Sequence, residues 1–243
     1  MLLGTGFEET EAIAPLDLLR RAGIEVMTVG INGKIVYGGH GIGIEADITL
    51  EQMDLTALEM IVLPGGLGGV ASISASQEAL DAIRFAYENN KYTAAICAGP
   101  TILAQLGITD GKNATCYPGC EGQMGSANML PGKAAVRDGN VITGTSAGCA
   151  VPFGLMLVAA LKGDEVAAKI EKQIKNLKDQ KAKSAAKTND QDLKDFAKTV
   201  TNVIEIYENA AASEELKNKV LKSILKEIVF YKPDRRIELF FYR

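Results

Sequence analysis

Lys91-Tyr92-Thr93-Ala94-Ala95-Ile96-Cys97-Ala98-Gly99-Pro100-Thr101-Ile102-Leu103 is the stretch that decides the fold. Small and apolar residues lead into a cysteine. Gly99 and Pro100 follow at once, and Ile102, Leu103 and Leu106 then recur at helical spacing. The pattern predicts a buried strand, a sharp turn carrying Cys97, and a helix beginning beneath it. Pro100 suits the first turn of a helix, where its missing N–H is no loss. Helix N-termini carry partial positive charge and free N–H groups. A thiol placed there is expected to ionise readily and act as a nucleophile. Ala98 and Gly99 are small enough for a substrate to approach and leave backbone N–H groups free to hold an oxyanion.

Outward from this stretch, strands alternate with helices. Met1-Leu2-Leu3 reads as the end of a strand whose start is cut short, with Gly4-Thr5-Gly6 as its turn. Glu8 to Ala22 reads as a helix with Ile13, Leu16, Leu18 and Leu19 on its apolar face and Gly23 as C-cap. Ile24 to Val29 reads as a strand, Tyr37 to Ile48 as short strands and turns, and Glu59 to Pro64 as a buried strand. Gly65 to Gly69 reads as a loop at its carboxyl end, without the Gly-Lys-Ser/Thr of a phosphate loop. A helix over Gln77 to Asn90 precedes the Cys97 strand. Ala114 to Cys116 reads as a strand. Ala134 to Arg137 and Val141 to Gly144 read as a hairpin about Asp138-Gly139-Asn140. A helix opens at Phe153 and continues beyond Gly163. This alternation predicts an α/β fold, a doubly wound, flavodoxin-like sheet with helices on both faces. In such sheets the site lies at the carboxyl ends of strands, where Gly4 to Gly6, Gly65 to Gly69 and Cys97 to Gly99 all fall.

The chain has 243 residues, 47% hydrophobic and 23% charged, with a net charge of −4, as expected of a globular protein. Residues 164–243 carry 17 Lys+Arg against 14 Asp+Glu, a net of +3, which leaves −7 for the rest. An acidic front gives no general affinity for nucleic acid. No segment is long and apolar enough to span a bilayer, and no signal peptide is evident at the start. Cys97, Cys116, Cys120 and Cys149 are therefore expected to be thiols in a cytoplasmic protein.

Composition changes after about residue 172, which sets the expected domains at 1–172 and 173–243. Lys172 to Ala186 is rich in Lys and Ala, and Ser184 to Asn189 is expected to be a protease-sensitive break. Leu193, Phe196, Val200, Val203 and Tyr207 then recur at helical spacing, able to face Leu216, Val220 and Ile224 of a helix capped by Ser213. Glu227 to Tyr231 and Ile237 to Tyr242 suggest a hairpin whose aromatic residues need a surface to cover them.

Four segments together resemble the ThiJ/PfpI (DJ-one) family over about residues 1–172: Gly6-Phe7-Glu8-Glu9-Thr10-Glu11-Ala12, Leu63-Pro64-Gly65-Gly66, Ala95-Ile96-Cys97-Ala98-Gly99-Pro100, and Ala114-Thr115-Cys116-Tyr117-Pro118-Gly119. The resemblance implies a flavodoxin-like dimer with a reactive cysteine on a nucleophile elbow. It assigns Cys97 as nucleophile, Glu11 as the glutamate hydrogen-bonded to its sulfur, and the N–H groups of Gly66 and Ala98 to the oxyanion pocket. Gly65, Tyr117, Cys116 and His40 are accessory candidates. An ionised Glu11 would oppose the thiolate, whereas a protonated one would donate to it. Glu8 and Glu9 are read as ordinary acids of a first helical turn.

Members with glyoxalase activity carry a histidine where this chain has Tyr117, so turnover is expected to be weak. The single histidine, His40, matches a position near the family's dimer interface, or is simply a surface loop residue. Gly144 to Cys149 replaces a Ser-Arg-Gly-Pro-Gly segment of many members, and the missing arginine removes an anion contact. Cys116-x3-Cys120 is at most half a metal site, and Cys116 is either a resolving thiol or a core residue. No metal and no cofactor is expected. The implied function is a glyoxalase- or deglycase-type enzyme for small carbonyls or glycated adducts. Its rival is a redox sensor or oxidative-stress chaperone using the same cysteine. The tail is faintly similar to the C-terminal end of large serine recombinases, which adds a third reading, a DNA-associated fusion. The tail could equally be an assembly artefact or an interaction module.

Overall fold

The computed structural model describes residues 1–209, 211–231 and 236–241, with side chains throughout 1–180 and at scattered positions beyond. In chain order the front contains β1 (Leu2–Leu3), α1 (Glu9–Arg21), β2 (Val29–Gly30), β3 (Ile35–Tyr37), β4 (Gly43–Glu45), β5 (Ile48–Thr49) and β6 (Met60–Leu63). It continues with α2 (Leu67–Ser74), α3 (Gln77–Glu88), β7 (Tyr92–Ile96), α4 (Pro100–Gln105), β8 (Asn113–Ala114), β9 (Asn128–Met129), β10 (Ala135–Asp138), β11 (Val141–Gly144) and α5 (Ala150–Lys162). The elements that follow are α6 (Asp164–Glu208), α7 (Glu214–Ile224), β12 (Leu225–Tyr231) and β13 (Arg236–Phe241).

Strands β6, β7 and β11 pair in parallel, with β10 antiparallel at the edge. A second parallel ladder runs β1-β2-β5, and β1 lies against β6. The chain thus leaves β1 to one side for β2 and later returns to its other side for β6, which creates a switch point between them. One face of the sheet is covered by α1 and α5, which pack so closely that a Cβ on Gly154 would stand 2.8 Å from Leu18. The other holds a core of Leu2, Val29, Ile61, Leu63 and Ala95 against Ile73, Leu80, Ile83, Ile102 and Leu103. Helix α3 shows why the sequence folds this way. Ala79, Leu80, Ile83 and Ala86 fall on one buried face, and Ser76 Oγ accepts the Ala79 N–H at 3.2 Å to cap it.

Several elements differ from the sequence reading. The strand expected over Ile24 to Val29 shrinks to Val29–Gly30, because side chains take its backbone groups. Arg20 donates to Val26 O at 3.0 Å, and Asp47 accepts from Thr28 N at 2.8 Å. The loop expected at Gly65 to Gly69 is a helix from Leu67 onward. There glycine serves close approach: a Cβ on Gly69 would stand 2.7 Å from Phe7 Cα. Ile13, expected on the core face of α1, is 44% exposed. The strand at Ala114 to Cys116 ends at Ala114. The helix opened before Gly163 does not run through it. Gly163, at φ 90°, separates α5 from α6.

The chain divides into two compact units, Met1–Gln173 and Ile174–Arg243. The break expected at Ser184 to Asn189 is absent, since those residues lie within α6. Ser213 Oγ accepts the Leu216 N–H at 3.2 Å, as the cap of α7 requires. β12 and β13 pair antiparallel, as expected of the C-terminal segments. The expected facing of Leu193, Phe196, Val200 and Val203 onto α7, and the covering of the aromatic end, lie outside the described side chains. Among the described residues, no helix is long and apolar enough to cross a membrane.

Candidate active site

Cys97 follows β7 at once and adopts φ +65°, one of two non-glycine residues described with positive φ. That backbone is strained for an L-residue, by about 1–3 kcal/mol. It is held by neighbours on both sides: Cys97 N donates to Gly144 O at 2.9 Å, and Tyr117 N donates to Cys97 O at 2.8 Å. The strain turns the side chain out of the strand line into the space between the ends of β6 and β7. α4 has only six residues, so its dipole is a small contribution. The backbone N–H groups of Gly66 and Ala98 matter more: both lie close enough to the Cys97 sulfur to favour its thiolate.

Glu11 reaches this sulfur from α1. It is 1% exposed, accepts the Gly65 N–H at 3.0 Å through Oε2, and hydrogen-bonds the Cys97 side chain. Gly65 must be glycine, because a Cβ there would stand 2.6 Å from Cys97 Cβ and would also strike the Glu11 carboxyl. Gly66, at φ +87°, lies with its α-carbon against the backbone of Gly6 and Glu8, and Glu8 N donates to Gly65 O at 2.9 Å.

Burial pushes Glu11 up to about 7, against the hydrogen bonds from Cys97 and Gly65. Burial, the Glu11 charge and its hydrogen bond push the Cys97 thiol up to about 12, against the N–H groups of Ala98 and Gly66. The expectation of a readily ionised thiol is therefore corrected: beside a Glu11 carboxylate the thiol is a weak acid. The two groups titrate as a pair. While the pair holds a single proton, sulfur is a thiolate only when Glu11 carries that proton.

The reading of Glu9 is also corrected. Glu9 is 7% exposed and pins the β3–β4 turn to α1. Its Oε1 accepts His40 N at 2.7 Å and Ile42 N at 3.5 Å, and its Oε2 lies 2.8 Å from His40 Nδ1. Burial works against the Glu9 carboxylate, but the hydrogen bonds from the His40 ring and from backbone N–H groups hold it down at about 2. The Glu9 hydrogen bond, with the charges of Glu8 and Glu9, raises His40. Gly38 carried a signal for this contact, since any Cβ there would run into the Glu9 carboxyl.

Tyr117 meets Cys97 through its backbone, and its side chain is 48% exposed. Cys116 is buried with Ala114 and Met124. All four cysteines are free thiols. A cavity of about 640 Å³ opens at the amino-terminal ends of the strands beside Met1, Met27 and Met60, away from Cys97.

The doubly wound sheet thus carries a strained cysteine at the end of β7, with a buried glutamate and two backbone N–H groups beside it. The chain belongs to the DJ-1/PfpI family, whose sequence model matches residues 1–160. It is 37% identical over 174 residues to protein dj-1beta of Drosophila melanogaster, covering 71% of this chain and 93% of that one. It is 35% identical over 175 residues to the Parkinson disease protein 7 homolog of Danio rerio, covering 70% and 93%. A deglycase of Pyrococcus abyssi is 29% identical over 123 residues, 51% of this chain and 74% of the deglycase. The crystal structure of Drosophila melanogaster DJ-1beta superposes with a TM-score of 0.68 at 36% identity, covering 71% of this chain and 94% of that one.

Proposed function

We propose that the protein is a cofactor-independent cysteine enzyme acting on small reactive carbonyls such as methylglyoxal, or on their adducts with proteins or nucleotides. The observation that carries this reading is the hydrogen-bonded Cys97–Glu11 pair with two backbone N–H groups beside the sulfur. The similarity to a deglycase supports the same substrate class.

The sulfur attacks the aldehyde carbon and forms the C–S bond. The C=O electron pair moves onto oxygen, where the Gly66 and Ala98 N–H groups are at hand. Glu11 delivers the pair's proton to that oxygen, giving a hemithioacetal. As a carboxylate, Glu11 then takes the proton from this carbon while the neighbouring carbonyl oxygen is protonated, giving an enediol; return of the proton to the neighbouring carbon and loss of the first hydroxyl's proton leave a 2-hydroxy thioester. Water cleaves the thioester to a 2-hydroxy acid and regenerates the thiol. His40 is engaged by Glu9, so Glu11 is the base of this scheme and turnover is slow. Competition tests the first step: methylglyoxal should protect Cys97 from alkylation by iodoacetamide, saturably and reversibly on its removal. Alkylation of Cys97 at an unchanged rate would refute it.

A second reading, redox sensing or an oxidative-stress chaperone role, is favoured by the half-buried Cys97 having backbone N–H groups beside it that can hold sulfinate oxygens. Mild peroxide should then oxidise Cys97 before Cys116, Cys120 and Cys149, and the opposite order removes the reading. The partner inferred is a second copy, because Ile13, Tyr37 and Ile42 present exposed apolar side chains on α1 and the β3–β4 hairpin.

A further inference from the structure

We propose that Glu8, Glu9 and His40 bind a divalent transition cation of the zinc class, without using the Cys97 sulfur. One oxygen from each glutamate and one ring nitrogen of His40 lie within 4.8 Å of one another. His40 Nδ1 stands 2.8 Å from Glu9 Oε2 and 3.7 Å from Glu8 Oε2. Ligands at 2.0–2.2 Å around a tetrahedral zinc ion stand roughly 3.4 Å apart. The two observed distances bracket that value, and the exposed His40 ring needs only a small shift to admit the ion.

Three features set this group apart from a solvated acidic patch. Glu9 is buried and its Oε1 is fixed by the N–H groups of His40 and Ile42. Such outer support orients a metal ligand and holds Oε2 towards the imidazole. The ligand set mixes imidazole nitrogen with carboxylate oxygen, a set that suits zinc-class ions rather than calcium or magnesium. The ligands also come from two elements, the start of α1 and the β3–β4 turn, so the cation would clamp the hairpin to the helix. Two carboxylates and a neutral imidazole carry the charge that a dication neutralises.

Cobalt(II) titration of the full chain carrying Cys97→Ser tests the proposal. The expected result is saturable binding of one ion per chain, with visible d–d bands and no sulfur-to-cobalt charge-transfer band. Zinc should displace it. His40→Ala and Glu8→Gln should each weaken binding by roughly tenfold or more. Glu8→Gln guards against loss of the hairpin, because His40 and Ile42 remain bonded to Glu9. Unchanged binding in both variants, a charge-transfer band, or no saturable binding at millimolar cobalt would overturn the proposal. None of these readouts depends on carbonyl turnover, so they stand or fall separately from the enzyme reading.

Discussion

Glu11→Gln keeps the size of the side chain and removes its charge. Two effects follow, with opposite consequences for reactivity and for turnover. The Glu11 charge and hydrogen bond are the second and third causes that raise the Cys97 thiol to about 12, after burial. Burial persists in the variant, while the amide can donate to a thiolate. The thiol pKa should therefore fall by roughly 1–2 units, and alkylation by iodoacetamide at neutral pH should accelerate by roughly tenfold or more. Carbonyl turnover should nevertheless be lost, because an amide cannot carry the proton. The same substitution has a signature in stability. Glu11 has a pKa of 4.5 by reference and about 7 in the folded protein, so the folded state holds a proton that the unfolded state releases between those values. The Glu11 contribution is fully present below pH 4.5 and is lost as pH rises through 7. At about 1.4 kcal/mol per pH unit, wild type should lose about 3 kcal/mol relative to Glu11→Gln over that window. Urea denaturation of both proteins from pH 4 to 8 measures it. Parallel stability curves, together with an unchanged or higher thiol pKa, would refute the reasoning.

Gly66→Ala should lose Cys97-dependent carbonyl chemistry and destabilise the fold by about 2 kcal/mol or more, as read by urea denaturation. Its φ is +87° and its Cβ would meet backbone atoms of Glu8 and Gly6 at 2.5 Å. Glu9→Ala should leave the His40 and Ile42 N–H groups without their acceptor and cost about 1–3 kcal/mol. Hydrogen exchange should speed up in residues 38–42 before the sheet. A chain ending after Gln173 should remain soluble and keep the alkylation rate of Cys97, since the first compact unit ends there; an insoluble product would move the boundary.

The Cys97 turn was legible because three local signals agree: an apolar run, a cysteine, and Gly-Pro at a helix start. Ser213 and the Asp138-Gly139-Asn140 turn were legible for the same reason, as each acts within a few residues. What escaped the sequence depends on contacts between distant segments. Glu9 looked like any acid in a first helical turn, and only the return of Gly38 to Ile42 over it gives it a buried role. Gly68 and Gly69 looked like loop residues, but Gly6 packs against the first and Phe7 against the second, within the first turn of α2. The thiol was expected to be acidic from its helix, yet burial and the Glu11 charge outweigh a helix of six residues.

The central claim is that Cys97 performs covalent chemistry on carbonyls with Glu11 as its proton carrier. Its most direct measurement is the rate of 2-hydroxy acid formation from methylglyoxal by wild-type protein and by Cys97→Ser. The account predicts slow, saturable formation by the wild type and none above background in the variant. Equal rates in the two proteins would contradict it.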